Sequence, residues 1–489
     1  MKCLLHQATA SLLACDEQRA NRYSSNESLG NYFDTLHTEA RASLQEKLDA
    51  FPFKSRCVDF SPAKDQEAIT SPPHFIVNAS VEGYLRAFNA KVPIFDENDL
   101  RCAINTHYST ESVAQRNMAW PLITNAIVLL QLSLEIRLAH ASQNNSPIMH
   151  ESILFPFLEN CDRAMRNLAS FLVPTIVNVE ALMILTIVSR EFFSNATAER
   201  VCQAACQTSR ALGLHRSQAR HRSDGTKTPT AAEKERERLF WALYTLDKQR
   251  VFMTGQPCDL YSFDSDHNLQ GDSLEDASNR MMTLWEEIYI NLYSSKASGP
   301  GSQKGSRQIQ HVNTLMKEFS QRHVNHKLNY DSESSNPLQV EFTYGCHVSE
   351  LLVLGSEQAE EQLRNHKAQI ARSALKLLLQ VSAKTPAQLA TLARMFRNYP
   401  IFAFTELVAF HLWHLFERRK YSEDAQSDLA LLQAVFDRLD VLQLRSLSYT
   451  FYRRMKAGLS WALETLQATG DMFGENASTT KGSLRSFGK

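Results

Sequence analysis

No C-x-x-C pair occurs anywhere in the 489 residues, although the chain carries nine cysteines. The DNA-reading zinc module of two metals and six cysteines needs such pairs, because thiolates from adjacent turns must converge on one ion. These residues therefore cannot build that module. G-x-S-x-G and the Walker A pattern are also missing, so the usual nucleophile elbow and phosphate cradle have no counterpart. Residues 299–305 are glycine-rich, but no strand pattern precedes them and Pro300 suits a linker. Basic surplus is lacking as well: 52 Lys and Arg face 53 Asp and Glu, for a net charge of −1. A chain whose main partner is the phosphate backbone carries more positive charge than that. Alternating strand patterns and solenoid-length repeats are absent too.

Long apolar runs are also lacking. Residues 121–136 and 173–188 are apolar but contain Asn125, Gln131, Asn178 and Glu180. Both fall short of the ~20 residues a membrane span needs and read as buried helices, so no membrane is expected. The first fifteen residues faintly resemble a leader, with a lipoprotein-like Leu12-Leu13-Ala14-Cys15, but His6, Gln7 and Thr9 break the apolar run. An odd, scattered set of cysteines argues for reduced thiols in an intracellular compartment. The sequons at Asn26, Asn78, Asn144, Asn195 and Asn476 then read as incidental.

What is present is helix. The hydrophobic share of 43% and charged share of 21% are those of a soluble globular protein. The length predicts two or more packed units. Apolar residues recur at helical spacing over 80–89, 97–105, 111–141, 148–171, 179–193 and 197–212. The same pattern returns over 274–294, 340–354, 359–383, 385–398, 401–420, 427–439 and 448–469, and a weaker one at 28–48. Ser80 is read as an N-cap, and Gly213 as the left-handed residue that ends the helix before it. Residues 295–307 and 329–337 read as loops. The fold class is all-α. The expected organisation is an N-terminal segment and linker over 1–70, a main body over 71–420, C-terminal helices over 421–470 and a disordered tail over 471–489.

The most emphatic stretch lies within 197–264. Its helix begins either at Thr228 with Pro229 in the first turn, or at Thr230 with Glu233 closing a capping box. Glu233 with Arg236 and Glu235 with Arg238 are spaced to pair. Leu239, Phe240, Leu243, Leu246 and Val251 form an apolar face that Trp241 and Tyr244 widen, so more than one neighbouring helix should cover it. Gly255 and Pro257 stop the helix.

Chemistry-bearing residues have plain readings beside sharper ones. Cys202 and Cys206 stand one turn apart with His215 following, a Cys–Cys–His spacing with no fourth ligand, and small buried thiols explain it as well. His411 and His414, with Glu406 upstream, match neither H-E-x-x-H nor E-x-x-H and read as packing histidines. Residues 216–222 form a basic loop able to touch phosphate or merely to be solvated; Arg418, Arg419 and Lys420 complement a helix end. Asp247, mid-helix among leucines, is either one half of a structural ion pair or cap, with Arg250 or a backbone group, or an effector-recognising carboxylate. No catalytic, cofactor-binding or metal-ligating residue is assigned.

Residues 211–216 read A-L-G-L-H-R, 238–248 read R-L-F-W-A-L-Y-T-L-D-K and 255–257 read G-Q-P. This order resembles the signature of the fungal-specific transcription factor domain, the middle homology region of fungal zinc-cluster regulators, also described as the xylanolytic-activator regulatory domain. Residues 88–95, 175–185 and 401–416 resemble its entry segment and two apolar helices, so the likeness covers roughly 70–420. Phe240 stands where the family has its first Trp, Lys248 where it has Arg, and Gln256 is uncharged where it has Arg; Cys258 replaces a small residue or proline. The resemblance implies the all-α regulatory body of a nuclear fungal gene regulator, and no enzyme. Its implied partners are the transcription machinery or a DNA-binding regulator, with DNA reached indirectly or through a zinc-cluster exon. A small-molecule effector and a homo- or heterodimeric state are compatible with it. Such genes often sit beside metabolic or secondary-metabolite clusters that they control. The competing readings are a helical small-molecule-binding protein or enzyme on the same fold, and a cytoplasmic scaffold. If the helix within 233–259 is central, Trp241→Ala should cost about 3–5 kcal/mol in denaturant unfolding; an unchanged midpoint would place the centre elsewhere.

Overall fold

The computed structural model describes residues 68–109, 118–141, 150–217, 230–254, 256–267, 269, 271–295, 297, 303–323, 336–355, 361–399, 401–418, 424–444 and 451–483. Among them there is no strand. The helices are α1 (His74–Tyr84), α2 (Glu97–Ser109), α3 (Ala119–Ala141), α4 (Phe155–Arg166), α5 (Ile176–Phe192), α6 (Asn195–Ala211), α7 (Ala231–Thr254) and α8 (Leu274–Ile288). They continue as α9 (Gln303–Arg322), α10 (Pro337–Gly355), α11 (Glu361–Gln380), α12 (Pro386–Arg397), α13 (Phe402–Arg418), α14 (Ala425–Arg438) and α15 (Phe451–Ser483). The helix expected at 28–48 and the start of the one expected at 111–141 lie outside the described residues.

Apolar helices form the middle. α3 is long and apolar enough to pass for a membrane span, at 23 residues, but 78% of its apolar window is buried inside the protein. α1, α4, α5 and α12 cover it. α5 packs in turn on α6, and α6 on α7, which also meets α8. α10, α11, α13, α14 and α15 close the other side. Among the described residues, most buried apolar side chains from Val77 to Leu466 join in one continuous cluster, with Val251, Cys258 and Tyr289 as a small second one, where length predicts two or more packed units. α14 and α15 contribute side chains to the same large cluster.

Local signals were obeyed where backbone groups needed partners. Thr175 and Ser194 cap α5 and α6, and Thr385 with Gln388 forms a capping box on α12. Ser80, expected as a cap, instead lies inside α1 and donates to the Ile76 carbonyl at 2.9 Å. The single helix expected over 148–171 is divided into a 3-10 turn at Glu151–Leu154, α4, and a second 3-10 turn at Leu168–Phe171. α9 was not expected. The Gly/Ser-rich stretch hides its start, yet Val312, Met316 and Phe319 repeat at helical spacing and are buried. The tail expected to be disordered over 471–489 is helical as far as Ser483.

Gly213 ends α6 as its sequence position predicts, with φ of 73°. Its amide donates to the Arg210 carbonyl at 2.9 Å and the Leu214 amide to the Ser209 carbonyl at 3.0 Å, the paired bonds of a Schellman motif. A Cβ here would meet nothing closer than the Arg236 guanidinium at 3.8 Å. The cost of a side chain is thus purely conformational: Gly213→Ala should lose about 1–2 kcal/mol in chemical denaturation while leaving helix content unchanged by circular dichroism.

Candidate functional site

α7 starts at the second of the two predicted positions. The Thr230 amide donates to the Glu233 carboxylate at 2.7 Å and the Glu233 amide to the Thr230 hydroxyl at 3.3 Å, a capping box. Arg236 donates to the carbonyls of Leu212 and Gly213, and Arg238 to that of Pro93, so these arginines tie the helix to neighbouring segments. Beyond them every residue from Leu239 to Val251 is buried. The apolar face is not a face at all, because Asp247, Lys248, Gln249 and Arg250 are enclosed with it.

Asp247 is the hub. One oxygen accepts from the Arg250 guanidinium at 2.7 Å and the other from the Lys248 ammonium at 2.9 Å. The backbone amides of Asp259 and Leu260 donate to the same carboxylate at 3.1–3.2 Å. The Arg250 nitrogen that holds Asp247 also donates to the Pro257 carbonyl at 2.6 Å and the Asp259 carboxylate at 2.7 Å. Lys248 donates to the Leu260 carbonyl, lies 3.2 Å from Glu286 of α8 and stands over the Tyr244 ring. Glu286 then accepts from the Tyr244 hydroxyl at 2.9 Å and from the Ser262 amide and hydroxyl. The chain from Pro257 to Ser262 is thereby stitched onto α7 and α8.

Burial alone would raise the Asp247 carboxyl, but the Lys248 and Arg250 charges and their hydrogen bonds outweigh it and hold it below the usual range. Burial likewise opposes the charge on Lys248, and Asp247, Cys258 and Glu286 more than compensate, so the ammonium is held. The neighbouring Tyr244 phenol is raised well above its ordinary value by burial and by Glu286. Every oxygen of Asp247 has at least two partners, so the carboxylate acts as a clasp and offers no open acceptor to a ligand. Of its two sequence readings, the structural ion pair and cap is the arrangement present.

The other sequence candidates separate. Cys202 and Cys206 are both buried, and His215 does not join them in a metal-holding group among the described residues. Cys206 instead meets Asp247 and Asp259, with the three ligand atoms within 4.8 Å of one another. His411 donates from Nε2 to the Asp428 carboxylate at 2.9 Å, while Arg372 grips the same carboxylate at 2.7 and 2.8 Å. It is a satisfied core histidine. His414 is buried against Phe410. Arg216 pairs with Asp264 and Asp266; residues 218–222, 419 and 420 lie outside the described residues, as does Gly255. Sequence reasoning missed Glu286, Ser262 and Asp259. Glu286 sits in a helix whose apolar pattern of Met281, Leu284, Trp285 and Ile288 gives no hint that a carboxylate between them faces inward.

Residues 83–376 match the fungal specific transcription factor domain. The chain is 35% identical over 465 residues to transcription factor oryO of Aspergillus oryzae, covering 89% of this chain and 56% of that protein. It is 23% identical over 339 residues to transcription factor sphG of Aspergillus fumigatus, covering 65% of this chain and 45% of that one. An ABC-transporter-regulating transcription factor of Aspergillus oryzae is 22% identical over 250 residues, 46% of this chain and 26% of the relative. The chain thus spans about half the length, or less, of these curated relatives.

Removing one partner of a buried ion pair strands the rest, so Asp247→Asn should cost about 3–5 kcal/mol in urea unfolding. A loss below about 1 kcal/mol would mean the clasp is not what holds the 257–262 segment. Glu180 of α5 responds to pH in the opposite sense from Asp247. Burial, reinforced by Glu235 and opposed by Arg238, pushes its carboxyl up to about 8. A carboxyl raised on folding contributes stability below its unfolded pKa of about 4.3, and that stability drains away as pH rises toward the folded value. Glu180→Gln should therefore be more stable than the parent at pH 8, with the gap closing below about pH 4 in thermal melts.

Proposed function

The chain belongs to the fungal specific transcription factor domain family, and from that premise we propose that it is a nuclear fungal transcription regulator, not an enzyme. It acts through the middle homology body over residues 71–420 and controls a metabolic or secondary-metabolite gene cluster. The observation that carries this reading is the state of the signature itself. Tyr244, Asp247, Lys248 and Pro257–Leu260 are consumed in fixing the body's own conformation. A body organised in this way transmits a conformation; it does not present a reacting group.

DNA contact is made through a partner regulator, or through a zinc-cluster segment encoded upstream of the Met1 codon. The balance of 52 basic against 53 acidic residues supports that division of labour, since phosphate binding draws on positive charge. The partners on this reading are the transcription machinery and the DNA-binding regulator, in a homo- or heterodimer, and a small-molecule effector acts by shifting the body between conformations.

Deletion of the gene should change the transcripts of a contiguous gene group, and tagged protein should concentrate in nuclei. Unchanged transcripts under every growth condition, with the protein held in the cytoplasm, would favour a scaffold. The purified chain alone should fail to bind promoter DNA at moderate salt, and mapping the transcript 5′ of the Met1 codon separates the two routes to DNA. Tight binding by the chain alone would overturn the indirect route.

A further inference from the structure

The core between α8, α10 and α12 encloses polar atoms that the packing leaves without partners. Glu341 of α10 is wholly buried, and Arg394 grips it from Nε at 2.9 Å and Nη2 at 2.8 Å, both times at Oε2. Its Oε1 meets no hydrogen-bond partner among the described residues, and neither does the hydroxyl of the equally buried Tyr399. Gly345 brings the two together. It stands one turn after Glu341 on the same face of α10. A Cβ there would come within 2.9 Å of Tyr399 Cε1, the ring carbon next to the one that bears the hydroxyl. Tyr399 therefore lies against α10 at that turn, and its phenol is raised above its ordinary value by burial and then by the Glu341 charge. Lys91, in the connector after the π turn at Leu85–Asn89, belongs to the same junction. Its ammonium gives one of three N–H donors to Ser278 Oγ of α8 at 3.1 Å. Burial disfavours that charge, and Glu341 is the strongest influence opposing the burial. Among the described residues Lys91 makes no direct ion pair with Glu341, so the two charges act on each other across a gap.

We propose that this gap is a binding site for one buried water molecule, which accepts from the Lys91 ammonium and the Tyr399 hydroxyl and donates to Glu341 Oε1. About three bonds are the usual complement of an internal water, and each of these groups has bonding capacity left over. Polar groups too far apart to bond directly are commonly bridged in this way. The alternative, a carboxylate oxygen and a phenol both bare in the core, carries the full desolvation penalty of each. The bridge makes Lys91 and Glu341 a water-mediated ion pair. It ties the connector to α10, as Ser278 ties it to α8. The same connector is held by Arg238 of α7, which donates to the Pro93 carbonyl at 3.3 Å. The signature helix and the core between α10 and α12 thus meet on one short segment. Lys91 is the part-exposed member of the set, so the water exchanges with solvent past its side chain.

The test is urea unfolding of the purified full chain beside Tyr399→Phe, Lys91→Met and the double variant. Tyr399→Phe keeps the ring that packs on Trp285 and removes only the hydroxyl. With the water bound, it should lower the folding constant about fivefold. Lys91→Met should lower it too. The double variant should fall short of the product of the two losses by at least about threefold, because both residues hold the same water. Without a water the Tyr399 hydroxyl is a bare buried group, so an unchanged or raised midpoint in Tyr399→Phe would overturn the proposal. Losses that simply multiply would overturn it as well. A high-resolution crystal structure of the full chain should show an isolated solvent peak within hydrogen-bonding distance of Lys91 Nζ, Tyr399 Oη and Glu341 Oε1. Absence of that peak, or direct contact among the three atoms, would overturn the proposal independently of the unfolding data.

Discussion

A carboxylate with no access to water must be answered by charge and hydrogen bonds, and Asp247 is answered by Lys248, Arg250 and the amides of Asp259 and Leu260. Each donor lies close in sequence, within thirteen residues, yet together they make the chain turn back on α7 after its C-terminus. Glu286 extends the same network to α8 through Tyr244, Lys248 and Ser262. Losing one charged member leaves its partner's charge buried and uncompensated. This is how a polar cluster can determine the path of a loop even where it adds little net stability.

The same device recurs through the bundle. Glu191 of α5 is paired with Arg137 of α3 at 2.6 Å and with Arg397 of α12, and accepts from the Tyr452 hydroxyl of α15. Glu341 of α10 holds Arg394 of α12, which reaches the Ala87 carbonyl in the π turn after α1. Asp428 of α14 joins Arg372 of α11 to His411 of α13. The hydrophobic effect is non-directional, so burial alone discriminates weakly between helix partners. Buried ion pairs are not indifferent, and each of these crosses between helices distant in sequence. They give the long chain one core.

A regulator needs parts that hold and parts that can be shifted. The signature segment belongs to the first kind along most of its length. Asp259, part-exposed and paired with Arg250, forms the outer edge of that segment. Its carboxyl is raised by burial against the pull of Arg250.

The sequence by itself was enough for the all-α class, most of the helices, the Thr230–Glu233 box, the Gly213 stop and the family likeness. Each of these rests on groups within a few residues of one another, where helical spacing, caps and φ preference act directly. It also carried the Asp247–Arg250 pair, because three residues along a helix are neighbours. Tertiary structure alone decided that Glu286, 39 residues after Asp247, completes the cluster, that Cys206 meets carboxylates and not His215, and that His411 serves Asp428. It also decided that α9 begins at Gln303, inside the 295–307 stretch that glycine and serine suggested as a loop, and continues to Arg322 with Val312, Met316 and Phe319 buried. A buried polar group takes whichever partner packing brings to it, and no local pattern records which one that will be.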